Sequence, residues 1–391
     1  MKRSSDPVPR PARRLEGVSE YYFSRKLAEI AAMNARGADV ISLGVGSPDN
    51  PPAAEVVECL REEALRRDAH GYQPYTGIPV LREAFAAWYA RHYRVTLGEG
   101  EVLPLIGSKE GILHVSLAFL DPGDAVLAPD PGYPTYRSAA RLAGASVVTY
   151  DLLEENGWQP DWERLEGADL SRVKIMWANY PHMPTGAPAT RELFERLVEF
   201  GRRRGIVICH DNPYSFILND RPASILEVEG AREWCIELNS LSKSHNMPGW
   251  RVAMLASNRQ FVEWVLKVKS NVDSGQFRPV MLAAARALDA PDSWYAENNR
   301  VYAARRSVAE EIMTALGCTF DPCQSGLFLW GRVPDRWRDG EELADEVLRR
   351  ARVFITPGAV FGENGRRYAR VSLCREEERL QEALKRIIEN M

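Results

Sequence analysis

The chain lacks the features that mark several large classes of protein. No apolar run among its 391 residues approaches the roughly 20 residues that a membrane span needs. Its net charge is −4, so no positive excess points to nucleic acid or an acidic membrane surface. Residues 1–14 are basic and proline-rich but lack the apolar segment of a secretory signal. We therefore expect a cytoplasmic protein that binds neither nucleic acid nor membrane, with a disordered leader at 1–14.

Cysteine is also scarce. The six cysteines form no Cys-x-x-Cys pair, and several lie in apolar runs such as Ile206-Val-Ile-Cys209. This pattern predicts reduced core thiols rather than disulfides, and it predicts no metal site. The composition, 45% hydrophobic and 27% charged, is that of an ordinary soluble protein. The length suggests two or three domains.

Short apolar runs alternate with helical patterns through the middle of the chain. Seven runs read as strands: 102–108, 125–129, 145–149, 173–178, 205–209, 235–238 and 251–255. Continuous apolar strands separated by amphipathic stretches, such as 191–200, indicate a mostly parallel sheet covered by helices on both faces. In such sheets ligands bind at the carboxyl ends of the strands. The polar clusters that follow the runs are therefore the candidate site.

The last hundred residues have a different pattern. It predicts a helix at 292–316, strands at 326–330 and 368–373, and a final helix at 376–390. We expect a smaller α+β domain, completed by N-terminal residues. The predicted boundaries are 15–48 and 287–391 for this small domain, and 49–286 for a large cofactor-binding domain.

One segment carries the strongest chemical signal, Ser240-Leu-Ser-Lys-Ser-His-Asn-Met-Pro-Gly-Trp-Arg251. It places Lys243 after an apolar run, with hydroxyls before it and an arginine eight residues later. An amine that forms an imine with an aldehyde, beside hydroxyls and a guanidinium that hold a phosphate, suits a phosphorylated aldehyde cofactor. The alternative is a surface lysine in a turn with a chance arginine nearby.

Polar clusters follow other strands as well. Gly107-Ser-Lys-Glu-Gly111 opens a helix and offers a phosphate seat, although an ordinary N-cap serine explains it nearly as well. Asp211, in His210-Asp-Asn-Pro-Tyr214, is a carboxylate at the end of a buried strand, which suits a pyridinium partner. Capping of the following turn is its structural alternative. Rigid or aromatic loops occur at 179–186 and 130–136.

Together these motifs resemble the fold-type I, class I/II aminotransferases that depend on pyridoxal 5′-phosphate. The resemblance runs from about Ile41 to Leu373, with the motifs in the family's order, and it looks closest to LL-diaminopimelate and aspartate/aromatic-type members. It implies a seven-stranded, mostly parallel sheet with helices on both faces. It also implies an enzyme that moves an amino group between an L-amino acid and a 2-oxo acid through an imine on Lys243.

The resemblance assigns roles to residues of this chain. Lys243 matches the imine-forming lysine that also moves the α-proton, Asp211 the ring-nitrogen partner, and Tyr214 the donor to the ring oxygen. Tyr133 matches the stacking ring. The matches for the phosphate are Ser108, Lys109, Ser240, Ser242 and Arg251.

Three further matches concern the substrate and the assembly. Arg370 matches the clamp for the α-carboxylate, and Gly46 matches a backbone contact to the substrate. Tyr72 matches a tyrosine that reaches the phosphate of the neighbouring subunit, which implies a homodimer with shared active sites.

One position departs from the family. Where relatives commonly have asparagine before Pro-Thr-Gly, this chain has Met183, which cannot donate to the ring oxygen. We hypothesise that the imine therefore keeps its proton to higher pH. His182 is a candidate substitute donor, and a solvated loop histidine is at least as plausible an interpretation.

The substrate and the reaction type are less narrowly specified. Arg278 is either a clamp for a distal carboxylate or, by preference, an exposed charge before a helix that starts at Pro279. The segment Glu20-Tyr-Tyr-Phe23 either walls the entrance or packs against the sheet. A β-eliminating C–S lyase on the same scaffold is the alternative reaction. A regulatory relative without catalysis is a remote one.

Overall fold

A computed structural model describes residues 9–15, 17, 18 and 20–391 of the chain. Positions 1–8 of the predicted leader therefore lie outside the described residues. Residues 13–15 form one 3-10 turn. Among the described residues, no helix combines the length and the apolar character that crossing a membrane demands.

The strands fall into three sheets. In chain order they are β1 (Ile41–Ser42), β2 (Val102–Leu105), β3 (Ala125–Asp130), β4 (Ser146–Asp151), β5 (Val173–Ala178), β6 (Val207–Asp211), β7 (Cys235–Ser240), β8 (Ala253–Ala256), β9 (Phe328–Arg332), β10 (Val353–Phe354), β11 (Thr356–Pro357) and β12 (Tyr368–Ser372).

The helices cover the sheets and connect their strands. In chain order they are α1 (Tyr22–Ala35), α2 (Ala54–Ala64), α3 (Pro79–Tyr93), α4 (Ser108–Phe119), α5 (Pro134–Leu142), α6 (Trp162–Gly167), α7 (Arg191–Arg204), α8 (Ala231–Trp234), α9 (Leu241–Ser244), α10 (Arg259–Lys269), α11 (Arg278–Leu288), α12 (Asp292–Ala315), α13 (Gly340–Ala351) and α14 (Glu377–Asn390).

The large sheet has seven strands in the order β2-β8-β7-β6-β5-β3-β4. Strand β8 runs antiparallel to both of its neighbours, and the other pairs are parallel. Each of the seven predicted apolar runs overlaps one of these strands. The predicted fold class is confirmed.

Both faces of the large sheet are buried, as strand β3 illustrates. Ala125 and Leu127 belong to one apolar cluster, whereas Val126 and Ala128 belong to another. Successive side chains of a strand point to opposite faces, so a strand covered on both sides must be apolar at every position. This is why the run has no polar alternation.

Capping fixes the helix that leads into strand β6. The Thr190 side chain accepts a hydrogen bond from the Leu193 amide at 3.1 Å, and Gly205 ends α7 with φ 67°. A cap of this kind stabilises a helix by about 1 kcal/mol. Glycine adopts the left-handed conformation that the turn requires. The chain then enters β6, whose last residue is Asp211.

The smaller part of the fold joins the two ends of the chain. Strands β11, β12 and β9 form an antiparallel sheet, and β1 pairs with β10 in parallel. Its core includes Leu43 from the N-terminal part and Ile312, Leu329 and Val371 from the C-terminal part. The α+β domain from both termini is therefore confirmed, and its residue boundaries stay a prediction.

Candidate active site

A cavity of about 490 Å³ lies where the parallel strands end. Strands β2, β3, β5, β6 and β7 point the same way, so the residues that follow them meet at one edge of the sheet. The predicted site residues that line the cavity are Gly46, Ser108, Lys109, Tyr133, Asp211, Tyr214, Ser240, Ser242, Lys243, Arg251 and Arg370.

Lys243 lies on the short helix α9, whose N-cap is Ser240. Its Nζ donates a hydrogen bond to the carbonyl of Gly46. Burial lowers the pKa of Lys243, and the nearby guanidiniums of Arg370 and Arg251 lower it further. A lysine in this environment loses its proton more readily than one in water, as a nucleophile or a base must.

Asp211 is a buried carboxylate with one oxygen free. Its Oδ2 accepts a hydrogen bond from the Tyr136 hydroxyl at 3.0 Å, while Oδ1 has no partner among the described residues. The side-chain amide of Asn179 donates to the Asp211 main-chain carbonyl at 2.6 Å. Burial raises the pKa of Asp211 to about 6. Such a carboxylate is stabilised by a cationic donor, because buried charges require partners.

An anion site lies at the start of helix α4. Ser108 is the first residue of α4, and its Oγ is buried without a partner among the described residues. Gly107 has φ 109°, and a Cβ there would collide with the Arg251 guanidinium. Lys109 adds a second cation, with Nζ 4.2 Å from the centre of the Tyr21 ring. A helix N-terminus with two cations attracts a phosphate group.

Arg370 is a buried guanidinium without a carboxylate partner among the described residues. It is 3% exposed and donates to the Gly44 carbonyl at 2.7 Å and to Met183 Sδ at 3.1 Å, while Nε has no partner. Burial lowers the pKa of Arg370 to about 10. A thioether is a weak acceptor, so the guanidinium keeps donors available for a carboxylate.

The structure shows where the Met183 loop and the N-terminal segment lie relative to the cavity. Met183 lines the cavity beside Arg370. The solvated interpretation of His182 is wrong: the ring is buried, because the loop folds back and brings Nδ1 within 2.8 Å of Thr185 Oγ1. Tyr21 and Phe23 line the cavity, which agrees with the wall interpretation.

Tyr72 and Arg278 lie away from this cavity. Tyr72 is 92% exposed and lies on the surface beside His70 and Phe277. Arg278 is the first residue of α11, and its Nη1 lies 2.9 Å from Asp68 Oδ2. The helix start is within one residue of the predicted one, and Arg278 does not line the cavity.

Some residues of the site were not predicted. Tyr136 and Asn179 both contact Asp211 and lie in segments recognised only as aromatic or rigid loops. Tyr136 comes three residues after Tyr133 at the start of α5, and this spacing could have indicated that the two side chains lie on the same face of the helix. Phe328 and Phe361 also line the cavity, and no motif marks them.

Comparison with known proteins identifies the family. The model of the family described as aminotransferase class I and II matches residues 38–387. The chain belongs to this family. An LL-diaminopimelate aminotransferase from Desulforudis audaxviator is 42% identical over 379 residues, which are 96% of both chains. A second, from Moorella thermoacetica, is 41% identical and aligned over 96% of this chain and 97% of its own.

Solved aminotransferase-family structures share the fold. Substrate-bound BacF from Bacillus subtilis has a TM-score of 0.94 with 33% identity, covering 98% of each chain. Aspartate aminotransferase from Thermus thermophilus with maleate has a TM-score of 0.91 with 26% identity, covering 98% of this chain and 100% of that one.

The aminotransferase family depends on pyridoxal phosphate, and this chain is therefore a pyridoxal-phosphate-dependent transaminase. The relatives support the predicted transaminase and not the C–S lyase alternative. The residues present fit the cofactor. Asp211 Oδ1 and Ser108 Oγ are buried without partners among the described residues, and a ring nitrogen and a phosphate are the groups that would satisfy them.

Proposed function

We propose that this aminotransferase holds its cofactor on Lys243 and uses the same amine to move the proton of the substrate α-carbon. The observation that carries the proposal is the convergence of Lys243, Asp211 and Arg370 on one cavity. Bound there, pyridoxal phosphate supplies the electron sink that acidifies the α-carbon. The lowered pKa of Lys243 suits the proton transfer, because a general base works best with a pKa near the working pH.

The remaining proposed cofactor contacts are those that the family resemblance implies, and they are supported by the position of these side chains in the cavity lining. Asp211 keeps the ring nitrogen protonated, and Tyr214 donates to the ring oxygen. Tyr133 stacks on the ring. The phosphate is held by Ser108, Lys109, Ser240, Ser242 and Arg251.

The substrates are an L-amino acid and a 2-oxo acid. Arg370 binds the α-carboxylate through its unpartnered donors, and the main chain of Gly46 contacts the substrate. Any side chain at position 46 would collide with the Phe328 ring, so glycine brings the backbone close to the cavity.

The working form is a homodimer in the cytoplasm. Exposed Tyr72 supports the dimer, because a large aromatic side chain on the surface is a common mark of an interface. In the dimer Tyr72 reaches the phosphate of the second subunit. The absence of a disulfide among the six cysteines, all of them in the described part of the chain, is consistent with a reducing compartment.

The test is Lys243→Ala with Lys174→Ala as its control, since Lys174 is exposed on β5. We expect Lys243→Ala to lose transamination by at least about 10⁴-fold, because it removes both the attachment point and the base. Borohydride reduction followed by peptide mass spectrometry should find the cofactor on Lys243 in the parent and in Lys174→Ala. Near-normal turnover of Lys243→Ala, or attachment elsewhere, would refute the proposal.

A further inference from the structure

The proposed cofactor contacts leave one charged side chain for the substrate. Among the described residues of one subunit, the charged side chains that line the cavity are Lys109, Asp211, Lys243, Arg251 and Arg370. The proposed function, on which this inference rests, uses the first four for the cofactor. Arg370 then takes the α-carboxylate, and within the described chain no lining charge remains for the far end of a substrate.

The set of charged residues that line the cavity disfavours substrates whose side chain ends in a charge. LL-diaminopimelate carries a second amino group and a second carboxylate, and aspartate carries a second carboxylate. A charged group that enters an enclosed site without a partner loses its hydration and gains nothing in return. Asp211 is the one carboxylate lining the described cavity, and it faces Tyr136. Within one subunit, a distal ammonium group therefore finds no counterion.

Aromatic rings surround the place where the α-carboxylate binds. The Arg370 Cζ lies 3.8 Å from the centre of the Phe328 ring, 4.5 Å from that of Phe361 and 5.6 Å from that of Phe23. These rings hold the guanidinium by cation–π contacts. Because the substrate side chain starts one bond from the carboxylate-bearing carbon, it starts beside the same rings.

Helix α1 extends this apolar wall to the mouth of the cavity. Phe23 and Leu27 are four residues apart and lie on one face of α1, and both line the cavity. Leu27 is 41% exposed, which places it at the mouth. Tyr22, the residue between Tyr21 and Phe23, packs instead against the cluster around Ile30 and does not line the cavity.

We infer that the amino-acid substrate has an aromatic or large aliphatic side chain, and that the enzyme discriminates against side chains ending in a charge. Apolar side chains gain free energy when they leave water for a wall of this kind. The aromatic rings also offer edge and face contacts to a substrate ring. The substrate class thus differs from the one that the names of the LL-diaminopimelate aminotransferases state.

The first test uses the holoenzyme and a panel of single amino acids. Loss of the cofactor absorption band is followed with L-phenylalanine, L-leucine, L-alanine, L-aspartate and LL-diaminopimelate. We expect the apparent second-order rate constant for L-phenylalanine to exceed those for L-aspartate and LL-diaminopimelate by at least about 100-fold.

The second test changes the wall. Leu27→Ala should lower kcat/KM for L-phenylalanine by about fivefold or more, since it removes apolar contact area at the mouth of the cavity without touching Arg370. Turnover of L-alanine, whose methyl group is too short to reach Leu27 at the mouth, should change less than about threefold. Retained turnover of L-alanine also shows that the variant is folded. Tyr22→Ala is the matched control on the same helix.

The outcomes separate this inference from the proposed function. If no amino acid discharges the band, the proposed function fails, and the inference fails with it. If L-aspartate or LL-diaminopimelate reacts faster than L-phenylalanine, the function stands and the substrate class is refuted. Loss of that reaction in Arg278→Ala would then identify Arg278, acting across a dimer interface, as the distal clamp. Equal losses for L-phenylalanine and L-alanine in Leu27→Ala would also refute the inference.

Discussion

Asp211 shows how a single residue can serve the site at a cost to the fold. Its carboxylate is buried, and one oxygen lacks a partner among the described residues. The raised pKa, about 6, measures how strongly the protein disfavours the charge. Active sites often hold groups of this kind, because a bound ligand supplies the partner that the protein lacks.

We therefore expect Asp211→Asn to stabilise the apoprotein at neutral pH. The pKa of Asp211 rises from its ordinary value of 3.8 to about 6 in the folded protein. The protonated carboxyl group of Asp211 therefore contributes its full stability below pH 4, and this contribution is lost as the pH rises through 6. At pH 7.5 the variant should be more stable in urea unfolding by roughly 3 kcal/mol, and the difference should shrink toward pH 4. The variant should bind pyridoxal phosphate more weakly. Equal destabilisation at both pH values would contradict this account of Asp211.

Met183 leads to a second prediction at the residue scale. The side chain lines the cavity and provides no donor, so Tyr214 remains the main proposed donor to the ring oxygen. Met183→Asn adds a hydrogen-bond donor to the ring oxygen, which favours the deprotonated form of the imine. The variant should lower the midpoint of the absorption titration of the imine by about one pH unit. Met183→Leu adds no donor and should leave the midpoint unchanged. An unusually low midpoint in the parent would contradict the hypothesis.

At the scale of elements, the strands of the large sheet could be predicted because burial on both faces requires continuous apolar runs. Even the edge strand β4 contained enough apolar residues to be recognised, although five of its six residues are exposed or half-buried. The two-residue strands β1, β10 and β11 were not predicted. A pair of residues carries no periodic pattern, and only tertiary contacts define such strands.

The site could be predicted where motifs lie next to strand ends, as for Lys243 and Asp211. Contacts between segments that are distant in the sequence could not be predicted. Arg370 meets Met183 across 187 positions of the chain, and nothing local in either segment encodes that contact. The aromatic wall has the same origin, because Phe23 and Phe328 come from opposite ends of the chain.

At the scale of the whole molecule, the exposed Tyr72 is the main feature that one subunit leaves unexplained. It lies outside the cavity of its own subunit, beside Phe277, which is 44% exposed. Large apolar side chains that share a surface favour burial against another protein. The proposed homodimer gives both residues such a role.

Subunit mixing tests this arrangement. If Tyr72 acts across the interface, a heterodimer of Lys243→Ala and Tyr72→Ala subunits has both defects in one site and an intact second site. Refolding the two variants together should then restore roughly a quarter of the parent activity for random pairing, whereas each variant alone stays low. No restoration in confirmed heterodimers would place Tyr72 in its own subunit's site, and near-parent activity of Tyr72→Ala alone would place it outside both sites. Analytical ultracentrifugation gives the oligomeric state independently.

Helix α1 contributes wall residues to the cavity and none of the groups proposed to handle protons or phosphate. Selection can therefore act on this helix without disturbing the reaction itself. Substitutions at Leu27 would change which amino acids are accepted, while Lys243 and Asp211 keep the same surroundings at the edge of the central sheet. Divergence of substrate range within such a lineage is expected to begin at the N-terminus, where a change costs the least activity.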